Sequence, residues 1–241
     1  MFSFFKKNIN IAECNFFKNF TDIHSHILYG VDDGVKNVEE SLRVLDLYKE
    51  LGIKKLWLTP HVMEDVPNST SFLKERFLQL QQQYSGDIEI RLASENMLDA
   101  LFDQRLQNKD FLAIGENRDN LLVETSYFRP PQRLEDMIKR IISIGYFPIM
   151  AHPERYMYMD KKYFKYLLQV GVKFQLNILS LSGYYGTKVK ENALYLLKNG
   201  MYEHVGSDTH SYRMCCAMQN IFLNSKDAER LESIVTNSKF F

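Results

Sequence analysis

The chain alternates amphipathic helical patterns with short apolar runs, and a glycine separates each helix from the run that follows it. In the first unit, Asn37 caps a helix with Glu40 in its first turn, Gly52 ends the helix, and a strand over 53–59 follows directly. The apolar face of this helix has helical spacing at Val38, Leu42, Leu45, Tyr48 and Leu51. Further helices are predicted from about 130, over 161–170 and over 188–198, and they end at Gly145, Gly171 and near Gly200. Strands over 146–151, 172–178 and 201–206 follow them, so the chain repeats βα units.

The spacing of the predicted strands indicates one parallel sheet. Consecutive strand ends lie 25 to 35 residues apart, at His26, His61, Glu95, Glu124, His152, Asn177 and Asp208. Each interval suits one βαβ unit of roughly 30 residues. Seven strands alternating with helices in 241 residues predict a single α/β barrel, whose site lies at the C-terminal ends of the strands. Residues 62–70 are expected to form a loop over the barrel mouth, 97–114 a helix with a small extra strand, and the last 20 residues a closing helix.

Polar residues at these strand ends indicate a metal centre. In His24-Ser25-His26 the two imidazoles are two residues apart, which places them on one face of a strand. Asp22 precedes this motif and Asp32-Asp33 follows it, but two surface histidines would explain the motif equally well. The other strand ends favour a metal site over two surface histidines, because they also carry nitrogen or oxygen ligands: His61, Glu95, Glu124, His152, Asp208 and His210. Such repetition is typical of a multinuclear centre with His and carboxylate ligands.

Composition restricts the class of protein further. Thirty basic and 30 acidic residues balance, so the sequence shows no basic surface typical of nucleic-acid binding, and we expect no nucleic-acid partner. Three cysteines, Cys14, Cys215 and Cys216, do not form a disulfide framework, and reduced thiols favour a cytoplasmic location. No run approaches the roughly 20 apolar residues of a membrane helix.

The first 20 residues are predicted to be a partly loose N-terminal extension, and 21–241 a single barrel domain. Residues 1–7 are aromatic and basic, which leaves open a weak contact with a membrane surface, and hence a location at its inner face. The second aromatic group, Phe16, Phe17 and Phe20, is expected to pack on the domain.

The motifs together resemble the PHP (polymerase and histidinol phosphatase) superfamily, over about residues 21–222. Within it they are most similar to the bacterial tyrosine-protein phosphatases of capsule and exopolysaccharide clusters, the CpsB/YwqE type. The segments that carry the resemblance are His24-Ser25-His26, Asp32-Asp33-Gly34, Thr59-Pro60-His61, Glu95, Glu124, Ala151-His152-Pro153-Glu154-Arg155 and Ser207-Asp208-Thr209-His210. The sequence departs from the family after His61, where Val62-Met63-Glu64-Asp65 stands in place of residues that are often basic.

The resemblance implies a distorted seven-stranded (β/α)7 TIM-like barrel that binds three divalent or trivalent metal ions. Manganese is the expected metal, with iron and zinc as alternatives, because the ligands contain no thiolate. Asp33 is expected as a ligand rather than Asp32, because the family's ligand directly precedes the glycine, and Glu95 is expected to bridge two ions. The implied ligands are His24, His26, Asp33, His61, Glu95, Glu124, His152, Asp208 and His210.

The activity implied by the resemblance is hydrolysis of phosphotyrosine on a protein by a metal-activated hydroxide. The expected substrate is the tyrosine kinase of an exopolysaccharide system, with a tyrosine-rich tail. Arg155 and Arg213 are expected to bind the phosphate, with Arg129 as a weaker candidate, and Asp208 or His210 to supply a proton.

Two alternatives stay open: a phosphatase for a small phosphomonoester such as histidinol phosphate, and a metal-binding scaffold without turnover. A cysteine-dependent tyrosine phosphatase is excluded, because no cysteine here has an arginine six positions further on. The sequence also lacks a G-x-x-x-x-G-K-[ST] phosphate loop and a G-x-S-x-G nucleophile elbow. His204 lies within a predicted strand and has no family match, so we expect it to have a structural role.

Overall fold

The computed structural model describes residues 8–237, which form a mixed α/β fold. The helices are α1 Val38–Leu51, α2 Thr70–Gln83, α3 Ala100–Asn108, α4 Leu134–Ser143, α5 Lys161–Gln169, α6 Thr187–Lys198, α7 Tyr212–Met218 and α8 Ser225–Asn237. The strands are β1 Ile9–Asn10, β2 Thr21–Asp22, β3 Lys55–Leu58, β4 His61–Val62, β5 Glu89–Leu92, β6 Glu95–Met97, β7 Asn120–Glu124, β8 Phe147–Ala151, β9 Lys173–Asn177, β10 His204–Gly206 and β11 Phe222–Leu223.

Local signals place the helices as the sequence predicts. Asn37 accepts a hydrogen bond from the Glu40 backbone N–H at the start of α1, and Gly52 ends α1 with φ of 92°. Gly145 and Gly171 adopt the same left-handed conformation between a helix and the next strand. A difference occurs before β10, because the predicted strand 201–206 begins only at His204. Met201 N–H donates instead to the Leu196 carbonyl and so closes the end of α6.

The main sheet is a curled half-barrel of six parallel strands in the order β10-β9-β8-β7-β6-β4. Strands β2, β3 and β5 form a separate parallel sheet of three, and β1 pairs with β11 antiparallel. The predicted α/β architecture is thus confirmed, whereas the predicted continuous seven-stranded ladder is divided between two sheets. The division falls at Pro60, which has no N–H to donate, and at Ser94, whose N–H bonds to the Leu112 carbonyl.

The segments that follow β2 and β10 hydrogen bond to each other. His26 N–H donates to the Thr209 carbonyl at 2.9 Å, and Asp208 N–H donates to the His24 carbonyl at 2.7 Å. The regular strand β2 therefore ends at Asp22, earlier than the predicted run to His26, because the histidine motif bonds to an irregular partner. These bonds bring the first and last polar strand ends of the sequence together.

The core has two parts, one inside the curled sheet and one between the sheet and the helices. The interior part is formed by Ile23, Trp57, Ala93, Ile114, Leu122, Ile149 and Ala151. Strand β7 is buried along its whole length, as expected for a parallel strand with both faces covered. Phe16, Phe17 and Phe20 are buried, as the sequence predicts for the second aromatic group.

No helix within residues 8–237 is long and apolar enough to cross a membrane. The predicted membrane-surface contact of residues 1–7 lies outside the described residues.

We expect Tyr48→Phe to destabilise the join between β2 and β10. The Tyr48 hydroxyl donates to the buried Asp22 carboxylate at 2.7 Å and lies 2.8 Å from the Ser207 hydroxyl. Removing it leaves a buried carboxylate short of a donor, which costs about 1–3 kcal/mol in the free energy of unfolding. Urea unfolding followed by circular dichroism measures the change. The control is Tyr166→Phe, whose hydroxyl bonds to Glu135 on the surface and whose loss is expected to cost less than about 0.5 kcal/mol. Equal stability of the two variants would contradict the prediction.

Candidate metal centre

All nine predicted ligand side chains converge at the C-terminal ends of the parallel strands. The Glu95 carboxylate is central, with Oε2 lying 3.2 Å from His24 Nε2, 3.3 Å from His26 Nε2 and 3.1 Å from His61 Nδ1. The remaining members surround it: Asp33, Glu124, His152, Asp208 and His210. We call these nine side chains the strand-end cluster.

Three overlapping groups within the strand-end cluster have ligand atoms close enough to hold a cation. Within each group, the ligand atoms lie within 4.8 Å of one another. The groups are His26, Asp33, His61 and His210; His24, His26, Glu95 and Asp208; and His61, Glu95 and Glu124. His152 belongs to none of the three, but its Nε2 lies 3.1 Å from Glu95 Oε1 and 3.9 Å from Asp208 Oδ2. Glu95, His26 and His61 each belong to two groups, and of these three the Glu95 carboxylate has two oxygens with which it could join neighbouring cations.

The donor atoms of the third group fit a metal ion. His61 Nδ1, Glu95 Oε2 and Glu124 Oε1 are buried and lack a hydrogen bond within the part of the chain that the structure describes. His61 Nδ1 nevertheless lies 3.1 Å from Glu95 Oε2 and 2.9 Å from Glu124 Oε1. Buried polar atoms normally find hydrogen-bond partners, so three unsatisfied atoms facing one another suit a cation between them. Imidazole nitrogen and carboxylate oxygen without thiolate suit manganese, iron or zinc.

Hydrogen bonds from Nδ1 orient three of the imidazoles. His24 Nδ1–H donates to Gln175 Oε1 at 2.9 Å, and His26 Nδ1–H donates to Asp32 Oδ2 at 2.8 Å. His210 Nδ1–H donates to the backbone carbonyl of Asp208 at 2.8 Å. In each residue Nε2 is left to face the cluster, which is the tautomer that a metal ligand requires.

Asp32 and Asp33 have different surroundings, although they are adjacent in the sequence. Asp32 also accepts the His61 backbone N–H at 2.9 Å, so it is a positioning group that connects two ligand segments. Asp33 Oδ1 lies 3.4 Å from Nε2 of both His61 and His210. The sequence analysis considered Asp32 only as an alternative ligand and missed Gln175, which no motif marks.

Opposite charges shift the pKa values of the buried cluster. Burial alone lowers the pKa of His24 and His26, but the nearby carboxylates raise both pKa values above their usual range. Burial and the neighbouring His26 also lower the pKa of His61, yet Glu95 and Glu124 raise it to about 10. Conversely, burial raises the pKa of Glu95, but the imidazoles hold it well below its usual range. Without metal, His24, His26 and His61 therefore hold their protons more strongly than free imidazoles do.

His152 differs from His24, His26 and His61 because its pKa is lowered rather than raised. Burial, with the adjacent Arg155 guanidinium, lowers the pKa of His152 to about 4. Its backbone is also unusual, with φ of 35°, and Asp208 has φ of 53°. Residues other than glycine rarely adopt this left-handed conformation, and strain of this kind is typical of functional sites.

Of the predicted arginines, the structure brings Arg155 to the cluster. Its Nη1 donates to Asp208 Oδ2 at 2.7 Å, and its guanidinium lies 4.4 Å from the ring centres of both Tyr127 and Tyr185. Both tyrosine rings contact the guanidinium, and the sequence analysis identified neither of them. Arg213, in the first turn of α7, and Arg129 are exposed, and neither forms an ion pair with the cluster among the described residues.

Glu154, which the sequence analysis quoted as part of a motif without a role, anchors the loop after β8. Its carboxylate accepts hydrogen bonds from Asn177 N–H, the Ser180 hydroxyl and the Tyr202 hydroxyl. Burial raises the pKa of Glu154 to about 7, against the effect of these donors. His204 is nearly buried at the start of β10, away from the cluster.

The curled parallel sheet and the strand-end cluster define a class of protein, namely α/β proteins with a histidine–carboxylate centre suited to metal ions. The chain belongs to the CpsB/CapC family of capsular polysaccharide synthesis, whose sequence model matches residues 20–219.

Relatives and a solved structure agree with this family. Tyrosine-protein phosphatase CpsB of Streptococcus pneumoniae is 30% identical over 205 residues, which covers 79% of this chain and 82% of that protein. Putative tyrosine-protein phosphatase CapC of Staphylococcus aureus is 26% identical over 235 residues, which covers 90% and 89% of the two chains. A chain from the crystal structures of YwqE from Bacillus subtilis and CpsB from S. pneumoniae, described as metal-dependent tyrosine phosphatases, has the same fold. Its TM-score is 0.74 at 23% identity, over 92% of this chain and 96% of that chain.

We expect metal binding to release protons from the strand-end cluster. The pKa of His61, raised to about 10, keeps this imidazole protonated at pH 7.5 without metal, whereas a cation needs the free nitrogen. Lower pH should therefore weaken binding, and affinity should increase from pH 6 to pH 8.5. Titration of chelator-treated protein with MnCl₂ in weakly buffered solution, with a pH indicator, measures the release. Binding with no change in solution pH would contradict the prediction.

Proposed function

We propose that this protein is a metal-dependent phosphatase that hydrolyses phosphotyrosine in protein substrates. The observation that carries the proposal is the strand-end cluster, in which His61 Nδ1, Glu95 Oε2 and Glu124 Oε1 are buried, face one another and lack a hydrogen bond within the described residues. Membership of the CpsB/CapC family supports the reaction class, because relatives in this family are named tyrosine-protein phosphatases. An arginine held at the edge of the cluster adds a group suited to phosphate.

The nine predicted ligands would hold three metal ions, with manganese as the expected metal. The three groups of ligand atoms correspond in number to three ions, and the groups overlap at residues that can bridge them. Glu95 would be the main bridge, because it belongs to two groups and contacts four histidines. When bound, such ions supply an activated water and stabilise the phosphate oxygens.

Arg155 would bind and orient the phosphate. Its guanidinium offers a planar fork of donors that fits phosphate oxygens, and the contacts with Asp208, Tyr127 and Tyr185 fix that plane before substrate arrives. Arg213 is exposed on α7, so in this proposal it would approach the phosphate from the open side of the site.

The leaving group needs little help from a proton donor. Tyrosine leaves as a phenol with a pKa of about 10, so it needs less protonation than an alkoxide. Asp208 is a poor acid here: burial raises its pKa, but the surrounding imidazoles hold it well below its usual range. Of the two predicted proton donors, His210 is the more accessible to solvent, with 22% of its side chain exposed. Its Nδ1–H is bound to the Asp208 carbonyl, however, and its Nε2 would face a metal ion, so we assign proton transfer to neither residue.

The proposal extends to the domain and its setting. Residues 21–241 would act as one distorted seven-stranded barrel, and residues 1–20 as an extension. The bonds between His24–His26 and Asp208–Thr209 support such a closure. The substrate would be the tyrosine-rich tail of a bacterial tyrosine kinase in an exopolysaccharide system, reached from the cytoplasm at the inner face of the membrane.

We expect His152→Ala to reduce phosphate release from a phosphotyrosine peptide by more than about 100-fold. Loss of an imidazole that faces the metal should reduce activity more than loss of a contact that only supports a ligand. Loss of such a supporting contact typically reduces metal affinity or activity by about 10- to 100-fold. The assay uses purified protein with MnCl₂, parallel reactions with a chelator, and elemental analysis of bound metal. His204→Asn is the matched control, because this buried histidine lies outside the cluster. Circular dichroism establishes that both variants fold.

Each outcome of this assay distinguishes between functions. Activity that survives His152→Ala or a chelator would overturn the metal-dependent reaction. Bound metal without hydrolysis of any phosphoester would favour the scaffold alternative. Faster turnover of histidinol phosphate than of the peptide would favour a small-molecule phosphatase.

We expect Arg155→Gln to lower kcat/KM for the phosphotyrosine peptide by about 10- to 100-fold, because a charge-assisted fork to phosphate is lost, worth about 1.5–3 kcal/mol. Arg118→Gln is the control, since Arg118 is exposed just before β7, at the opposite end of that strand from Glu124. Equal kcat/KM values for the two variants would contradict the role of Arg155.

A further inference from the structure

A groove of about 340 Å³ lies beside the strand-end cluster. Three of its lining residues follow cluster members by two positions: Met63 follows His61, Met97 follows Glu95, and Ser126 follows Glu124. The three cluster members form the group whose donor atoms are unsatisfied. A strand advances about 3.3 Å per residue, so this wall begins roughly 7 Å beyond those atoms. The groove therefore adjoins the place where the phosphate would react.

One wall of the groove is an acidic turn with a fixed backbone. Met63 and Val66 exchange backbone hydrogen bonds of 3.1 and 3.0 Å, so Glu64 and Asp65 occupy the tip of a tight turn, and both are exposed. The Glu64 N–H also donates to Asp99 Oδ2 at 2.8 Å. Asp99 in turn caps α3 by accepting the Phe102 N–H. The backbone of the turn is thus hydrogen bonded to the start of α3, which fixes where Glu64 and Asp65 lie along the chain's surface.

The groove combines negative charge with an apolar floor. Its lining contains three carboxylates, Glu64, Asp65 and Asp99, and a single basic residue, Arg129. Met63 and Met97 add flexible apolar surface to the same lining. Lysine and arginine suit this combination, because their aliphatic stems can cover apolar surface while the charged end meets a carboxylate.

We propose that this groove binds the residues next to the phosphotyrosine and selects substrates with Lys or Arg there. The inference rests on the proposed function and names the substrate preference of the same site. With the phosphate at the cluster, an extended peptide of about 3.3 Å per residue places its neighbours one to three positions away along the groove. Acidic neighbours would meet like charge and bind more weakly.

The test compares two phosphotyrosine peptides that differ only in the three residues on each side, Lys-rich in one and Glu-rich in the other. For the unchanged protein with MnCl₂ at low salt, we expect kcat/KM to be about 3- to 10-fold higher for the Lys-rich peptide, as exposed ion pairs of about 1 kcal/mol allow. The preference should shrink as salt screens these charges. In Glu64→Gln/Asp65→Asn it should fall towards equality, and in Glu64→Lys/Asp65→Lys it should reverse.

Glu229→Lys/Glu232→Lys is the matched control, because it makes the same change in net charge at exposed positions of α8. This control should keep the preference for the Lys-rich peptide. Hydrolysis of both peptides at equal rates, or a preference that the α8 control abolishes as strongly as the turn variants, would overturn the inference alone. Hydrolysis of neither peptide would instead overturn the proposed function.

Discussion

The candidate metal centre depends on keeping the carboxylates of Glu95 and Asp208 charged although both are buried. Glu95 is fully buried and Asp208 almost so, and the surrounding imidazoles hold the pKa of both well below the usual range. An isolated carboxylate would not stay ionised under such burial, so positive charge must accompany it. Imidazoles supply that charge without metal, and the raised pKa of His26 beside the lowered pKa of Glu95 expresses this sharing of protons. Metal ions can balance the same negative charge in place of the protons. The arrangement therefore suits cation binding rather than stabilisation of the fold.

Irregular backbone occurs at most of the strand ends that carry a member of the cluster, Glu124 at the end of β7 being an exception. The ladder breaks at Pro60, just before His61, and at Ser94, just before Glu95. His152 and Asp208 leave their strands in the left-handed conformation. A regular ladder would direct alternate side chains to opposite faces, whereas these breaks turn neighbouring strand ends towards one point. Hydrogen bonds accepted by side-chain oxygens of Asp22, Gln175 and Asp32 then hold the irregular segments in place.

In the proposed function, the metal centre would perform the chemistry and its rim would recognise the substrate. The buried cluster and Arg155 would bind a phosphate group, which every phosphomonoester shares. The exposed turn at Glu64 and Asp65 lies outside the cluster, and its charge depends on residues that the buried network does not constrain. Such a rim can change between relatives while the centre remains, because surface substitutions carry little cost in folding stability.

The sequence by itself determined most of the helices, although not α2 or α7, together with the succession of strands along the chain and the chemical nature of the site. Helix caps such as Asn37 and helix ends such as Gly52 depend on residues within one helical turn. The polar residues from His24 to His210 lie at strand ends, which the parallel arrangement of the units brings to one edge of the sheet. The tertiary structure alone decided which groups orient the ligands and how the sheet divides. Gln175 supports His24 across 151 positions of the chain, and Tyr127 and Tyr185 enclose Arg155 from two different loops. Contacts of this kind depend on packing between distant segments, and no local pattern of apolar and polar residues encodes them.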